Sequence, residues 1–313
     1  MFTITQRNET LFIYICKNLI LMKLQFSGHE SFICKHFWLK KGYDFIQSKG
    51  NFNDESAVIG LGVGKNMVSS IGYWLKAFGI VDASNEISEL GHFIFNDKTG
   101  ADPYMESLST TWLLHHSLIK TNKASIYNLF FNDFRKGRTD FTKDQFLNYV
   151  KRLMEDDNQK NFNENTIGSD FNVFIRNYLR PSYKETKIDI EEDFASLMID
   201  LDLLQSYKSE NSEDKIVDWY RVENKLQIDL PAGLVLFSIL DNENFSKSIS
   251  FKELLVGYNS PGSIFALNED GLYNKIEALQ KQNKKITYTE TAGERQLQIQ
   301  GTLNKWDILH GCY

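Results

Sequence analysis

The stretch 61–81, LGVGKNMVSSIGYWLKAFGIV, constrains this chain more than any other. Glycines at 60, 62 and 64 force a tight turn, because glycine alone takes up left-handed backbone without a steric penalty. Directly after it Val68, Ile71, Trp74, Leu75 and Phe78 recur at helical spacing. Residues 65–78 therefore read as an amphipathic helix burying that stripe, with Gly79 as its stop. The opposite face carries Lys65, Asn66, Ser69, Ser70, Tyr73 and Lys76. A glycine turn before a lysine also invites comparison with a nucleotide-binding loop, which needs G-x-x-x-x-G-K-[ST]. Here Ile59 stands where the first glycine belongs, Asn66 replaces the hydroxyl residue, and no buried apolar strand comes before. The turn reads instead as that of a helix-turn-helix. The N-terminus of its second helix suits phosphate, and its first two turns are where base edges are read.

The flanking residues extend this unit. Phe32, Phe37, Trp38, Tyr43 and Phe45 suggest a helix within 28–48, with a basic side at Lys35, Lys40 and Lys41. Asp54 is placed to cap a short helix before the turn. Residues 80–95 read as a short hairpin followed by a helix capped by Ser88, which makes a winged helix-turn-helix. Asp102 and Pro103 read as the cap and first residue of a further helix, and 125–134 and 143–157 as two more. The connector at Arg135, Lys136, Arg138 and Lys143 reads as an exposed basic loop.

Two more segments repeat the logic. In 163–181 Phe171, Phe174, Ile175 and Tyr178 form a stripe, and Thr166, Ser169, Asn172 and Arg176 lie off it. Residues 193–207 and 218–228 read as a helix and a strand. Near the C-terminus, helices in 232–242 and 250–259, a turn at SPGS, a helix in ALNEDGLYNKIEALQKQ and a hairpin over 286–300 with Gly293 at its tip repeat the winged order. That last helix bears Glu269, Asp270 and Glu277, which repel phosphate, so this copy is expected to dock a partner rather than DNA.

Charge supports placing a DNA face early in the chain. The whole carries a net charge of −6, against the basic surplus usual in DNA binders. Residues 1–150 nevertheless hold 16 Lys and Arg to 14 Asp and Glu, while the remainder holds 19 to 27. Cys16, Cys34 and Cys312 form no CxxC pair, which points to a reducing cytoplasm and to neither a disulfide framework nor a zinc ribbon. The apolar run 11–22 contains Lys17 and is too short to span a membrane. Met22 opens a natural-looking start, so 1–21 reads as a peripheral or non-native extension. His29, Glu30, Cys34 and His36 cluster without a metal-binding spacing, and His115 and His116 point apart on their helix. No metal, cofactor or catalytic residue is assigned.

GHESF, LGVGKNMV, DPYME, WLLH, NTIGSDFNVFIRNYL and the C-terminal SFKELL, SPGSIFALNEDGL and YTETAG together resemble the prokaryotic domain-of-unknown-function family 4007, from about Met22 onward. The resemblance implies a setting among genes for phosphoadenosine-phosphosulfate-reductase-like proteins and cysteine desulfurases, linked to DNA phosphorothioation and anti-phage restriction. It carries over no catalytic residue.

The chain is thus expected to be mainly α with small β-hairpins, built as serial winged helix-turn-helix units joined by helices. The units are an N-terminal domain over 22–120, a central one over 121–230 and a C-terminal one over 231–313. The expected function is non-catalytic binding of double-stranded DNA in phosphorothioation or antiviral restriction. Lys65 and Lys76 would meet phosphates, and Asn66, Ser69, Ser70 and Tyr73 would approach bases. Thr166, Ser169, Asn172 and Arg176 would assist. Its partner protein would be a phosphoadenosine-phosphosulfate-reductase-like enzyme or cysteine desulfurase. The alternative is a scaffold for those enzymes without DNA contact.

Overall fold

The computed structural model describes residues 24–156, 163–180, 196–211, 214–291 and 293–313, so the suggested extension 1–21 lies outside the described residues. The architecture is mainly helical, with two small three-stranded antiparallel sheets. One continuous apolar core runs from Ile33 to Leu309 and joins the successive units.

The first unit contains α1 (Trp38–Gln47), α2 (Ser56–Leu61), α3 (Lys65–Ala77) and α4 (Glu89–Phe95). Gly62, with φ +62°, ends α2, and extended Gly64 opens α3. The stripe Val68, Ile71, Trp74, Leu75 and Phe78 is buried, and Gly79 takes the left-handed stop conformation. α1 lies close on α3, for a Cβ on Gly42 would come within 2.6 Å of Leu75. The expected helix in 28–48 is confined to α1, and its basic side is largely occupied. Lys40 is buried between Asp44 and Asp97, and Lys41 donates to the Leu61 carbonyl at the end of α2. The expected hairpin after α3 shrinks to a single bridge between Val81 and Ile87. The reason is local: Asp82 Oδ1 accepts from the N–H groups of Ser84 and Glu86 and closes the turn at once. Ser88 then caps α4 as expected, accepting from Gly91 N–H.

Asp102 does not cap a helix at Pro103. It accepts from the N–H groups of Glu106 and Ser107, and α5 (Leu108–Thr121) begins behind Ser107. α6 (Ser125–Asn132), α7 (Lys143–Asp156) and α8 (Glu164–Tyr178) enclose an aromatic cluster in which Phe130, Phe141, Phe146, Phe171 and Phe174 are fully buried. Strand β1 (Asp140–Phe141) pairs with β3 (Ile216–Arg221), which pairs with β2 (Gln205–Glu210). The helix expected in 193–207 is replaced, over its described part, by a short 3₁₀ turn at Ile199–Leu201 and by β2, whose β-branched and aromatic neighbours on β3 suit a ladder.

The C-terminal unit follows the order α9 (Ala232–Leu240), β4 (Ser248–Ser250), α10 (Phe251–Val256), α11 (Pro261–Ile264), α12 (Glu269–Gln282), β5 (Ile286–Thr291) and β6 (Glu294–Ile299). Its strands lie in the order β4-β6-β5. A capping box of Ser250 and Glu253 starts α10. A last helix, α13 (Lys305–His310), absent from the sequence-based reading, packs on α9. No described helix is long and apolar enough to cross a membrane.

Candidate nucleic-acid interface

The first two turns of α3 stand open. Lys65, Asn66 and Ser69 are exposed, and neither the Lys65 ammonium nor the Asn66 amide is bonded to another described residue. Ser69 Oγ bonds only back to the Lys65 carbonyl at 3.4 Å. Lys76 is half-buried in the last turn, where a cation suits the helix dipole.

Two of the expected contact residues turn inward. Ser70 is fully buried, and its hydroxyl donates to the His29 carbonyl at 3.0 Å, so it is not open to a base edge. Tyr73 is half-buried with its phenol oxygen buried and unpartnered, and burial together with the Asp170 carboxylate pushes that phenol well above its ordinary range. Both are covered by the loop at 27–31, which sequence spacing did not single out as part of this surface.

That loop is unusual backbone. Ser27, Gly28, Glu30 and Ser31 all have positive φ, at 74°, 105°, 49° and 63°. A Cβ on Gly28 would lie 2.5 Å from the Tyr73 ring, so only glycine fits there. Non-glycine residues in this region cost of order 1–2 kcal/mol each and persist only when their surroundings hold them. The holding groups come from α8. Asp170, 2% exposed, accepts the Ser27 N–H at 2.9 Å and faces His29 Nε2 at 3.0 Å. Ser31 N–H donates to His29 Nδ1 at 3.1 Å, so the ring proton sits on Nε2 and donates to Asp170. Ser31 Oγ lies 3.4 Å from Ser169 Oγ. One loop thus clamps α3 to α8, and the two polar helices named from the sequence are brought together by it.

On α8, Thr166 and Ser169 are partly exposed and Asn172 and Arg176 exposed. Asn172 accepts from Lys143 Nζ at 3.0 Å, which ties it to the start of α7. Arg176 pairs with no described residue. Asn163 caps α8, accepting from Thr166 N–H. The joint surface is polar, with Glu30 as an exposed carboxylate among the basic and amide groups.

The other sequence candidates serve structure. Arg135, expected in an exposed loop, reaches under the C-terminal unit, donating to the Ser263 carbonyl at 3.0 Å and to Asn224, and burial lowers its guanidinium to about 10. Arg138 lies 4.4 Å over the Phe134 ring. His115 bonds the Tyr178 hydroxyl and the Ile264 carbonyl, each at 2.8 Å. Burial lowers His115 to about 3 and His116 to about 4, so both are neutral. Burial raises the Cys34 thiol, which keeps it unreactive. Among the described residues no group of three or more His, Cys, Asp or Glu is placed to hold a metal ion.

Two solved structures share this fold. The magnesium ion-bound SspB crystal structure superposes with a TM-score of 0.77 at 22% identity, covering 94% of this chain and 88% of that one. A further SspB crystal structure gives 0.76 at 23% identity over the same shares. A comparison with curated proteins returned no match. Residues 26–313 match the family described as "Protein of unknown function (DUF4007)", and the chain belongs to that family.

Proposed function

We propose that this chain binds double-stranded DNA in the cytoplasm, without catalysis of its own, as part of a DNA phosphorothioation or anti-phage restriction system. It would present target DNA to the modifying enzymes or recognise it. The observation that carries this reading is the open N-terminal half of α3, where unpaired Lys65 and Asn66 follow a glycine turn. A helix N-terminus of this kind suits phosphate, and a polar first turn suits base edges. α8, fixed to α3 through the 27–31 loop, would add Thr166, Ser169 and Arg176 to the same face. The C-terminal order of helix, strand, helices and two strands, with the first strand beside the last, supports reading that unit as a winged helix. Its carboxylates at Glu269, Asp270 and Glu277 suit a protein partner such as a phosphoadenosine-phosphosulfate-reductase-like enzyme or cysteine desulfurase. The setting in phosphorothioation rests on the gene neighbourhood that the family resemblance implies.

The test is retention of duplex DNA measured against salt. A handful of phosphate contacts makes affinity fall steeply, each adding a slope of about −0.9. No retention at low salt would leave the scaffold reading. A second reading is favoured by one observation, the magnesium named for a structural relative. In it the chain would cut DNA with the help of a divalent cation. Incubating the protein with supercoiled DNA and magnesium separates the two, since nicking would overturn the non-catalytic assignment.

A further inference from the structure

The sheet runs β1-β3-β2, so β2 is an edge strand whose outer side meets no described strand. All six of its residues are exposed. Its ladder fixes which backbone groups point outward. The register from Gln205↔Arg221 to Glu210↔Ile216 continues to Asn211 and Lys215, where the Asn211 N–H donates to the Lys215 carbonyl at 2.9 Å. Hydrogen-bonded and non-bonded pairs alternate along an antiparallel ladder. Ser209 and Tyr207 therefore also bond inward to β3, and Ser206, Lys208 and Glu210 turn their N–H and C=O groups outward. The same alternation on β3 aims the Val222 N–H away from β2, and it donates to the Thr139 carbonyl beside β1 at 3.0 Å.

The ribbon is held in shape through its odd-numbered residues. The Tyr207 ring stacks on Trp219 with centroids 6.4 Å apart, and its hydroxyl donates to Asp140 Oδ1 at 2.7 Å, which also accepts from Arg221. A strand ordered in advance loses little entropy on pairing. Proteins protect such an edge with proline, a bulge or an isolated lysine. β2 holds no proline and pairs with β3 without a bulge. Its Lys208 is matched by Glu210 two residues on, and both side chains leave the same face of the sheet. An isolated lysine repels a copy of itself, whereas a Lys-x-Glu strand is complementary to its own antiparallel copy.

We propose that β2 pairs antiparallel with β2 of a second copy of this chain, with Ser209 on the two-fold axis and Lys208 opposite Glu210 of that copy. Outward-facing groups meet outward-facing groups in this register, and the two symmetric pairs supply about four main-chain hydrogen bonds. Each Lys208 then lies between Asp218, its ladder neighbour on β3, and Glu210 of the second copy. The neighbouring registers are worse. An axis at Lys208 sets ammonium against ammonium. An axis at Tyr207 sets Glu210 against Leu204, which is 4% exposed and covered by the body of the protein. Pairing near the tip of the ribbon keeps the two bodies apart. The pairing goes beyond the DNA reading and does not depend on it, and a two-fold dimer of this kind carries the α3 surface twice.

The test is sedimentation equilibrium of the whole chain up to about 200 µM, where so small an interface should show a dimer dissociation constant on the order of 10–100 µM. Lys208→Glu and Glu210→Lys should each weaken self-association about tenfold or more, because each sets like charges opposite one another at both symmetric positions. Mixed in equal amounts, the two variants should pair with each other about as tightly as the unaltered chain pairs with itself, since every reversed charge then meets its opposite. A second readout needs no variant. Amide exchange at Lys208 and Glu210 should slow about threefold between dilute and concentrated samples, while Tyr207 and Ser209, already bonded to β3, stay unchanged. A chain that is monomeric at about 200 µM, variants that associate as the unaltered chain does, a mixture of folded variants that stays monomeric, or exchange that changes equally at all four positions would overturn the assignment.

Discussion

Replacing Asp170 by alanine should unlatch the surface assigned to DNA. Its carboxylate is 2% exposed and serves two donors, the Ser27 N–H at 2.9 Å and His29 Nε2–H at 3.0 Å. A hydrogen bond to a charged acceptor contributes about 1.5–3 kcal/mol, so the two together are worth about 3–6 kcal/mol. The same bonds hold Ser27, Glu30 and Ser31 in left-handed backbone, which at about 1 kcal/mol or more each would otherwise relax. Losing the anchor should therefore free the loop, uncover Ser70 and Tyr73, and let α3 shift against α8. Urea unfolding measures the stability term, and amide exchange at Ser27 and Ser31 measures the local one. DNA retention should fall more than global unfolding accounts for. Asp170→Asn keeps one carbonyl acceptor and should lose about half as much. If alanine costs less than about 1 kcal/mol, or exchange at Ser27 and Ser31 does not rise, the carboxylate does not anchor the loop and the argument fails.

Glu30→Gly should leave stability equal or raise it by up to about 1 kcal/mol, since glycine relieves the positive φ, and should tighten DNA binding by removing a carboxylate from the surface. A marked loss of stability in a thermal melt would contradict the strain. Lys65→Ala with Lys76→Ala should weaken retention on all sequences alike and reduce the salt slope by about 1.8, whereas Asn66→Ala should loosen base preference in a binding-site selection. Stability should fall on acidification below about pH 6.5, because His115 and His116 take up protons at their ordinary value only when unfolded and at about 3 and 4 when folded. Each contributes a slope of up to about 1.4 kcal/mol per pH unit between its folded value and pH 6.5, so its stability is present in full above pH 6.5 and is lost as pH falls toward the folded value. His115→Gln should flatten that slope in urea melts followed from pH 7 to pH 5.

How much of this was legible follows from how far apart the interacting residues stand. α3 was readable to within a residue, because its start, its stripe and its stop are all set by neighbours within one or two turns. The cap at Ser88 and the last hairpin are equally local. Asp102 misled for the same reason: its spacing fits a cap, but its carboxylate closes a turn one step earlier. The inward face of α3 had no local signal. Ser70 and Ser69 are adjacent small hydroxyl residues, and only the loop crossing above them decides that one is buried and the other open. Likewise His29 and Asp170 are 141 residues apart, and no spacing in the chain announces that they meet.

The sequence by itself determined the helical framework, the glycine turn and the polar end of α3, because backbone conformation and amphipathic stripes are short-range properties. Tertiary structure alone decided which polar side chains remain outside. A buried polar group must find a partner, and those partners, Asp170 for His29 and the Ser263 carbonyl for Arg135, come from elements far along the chain.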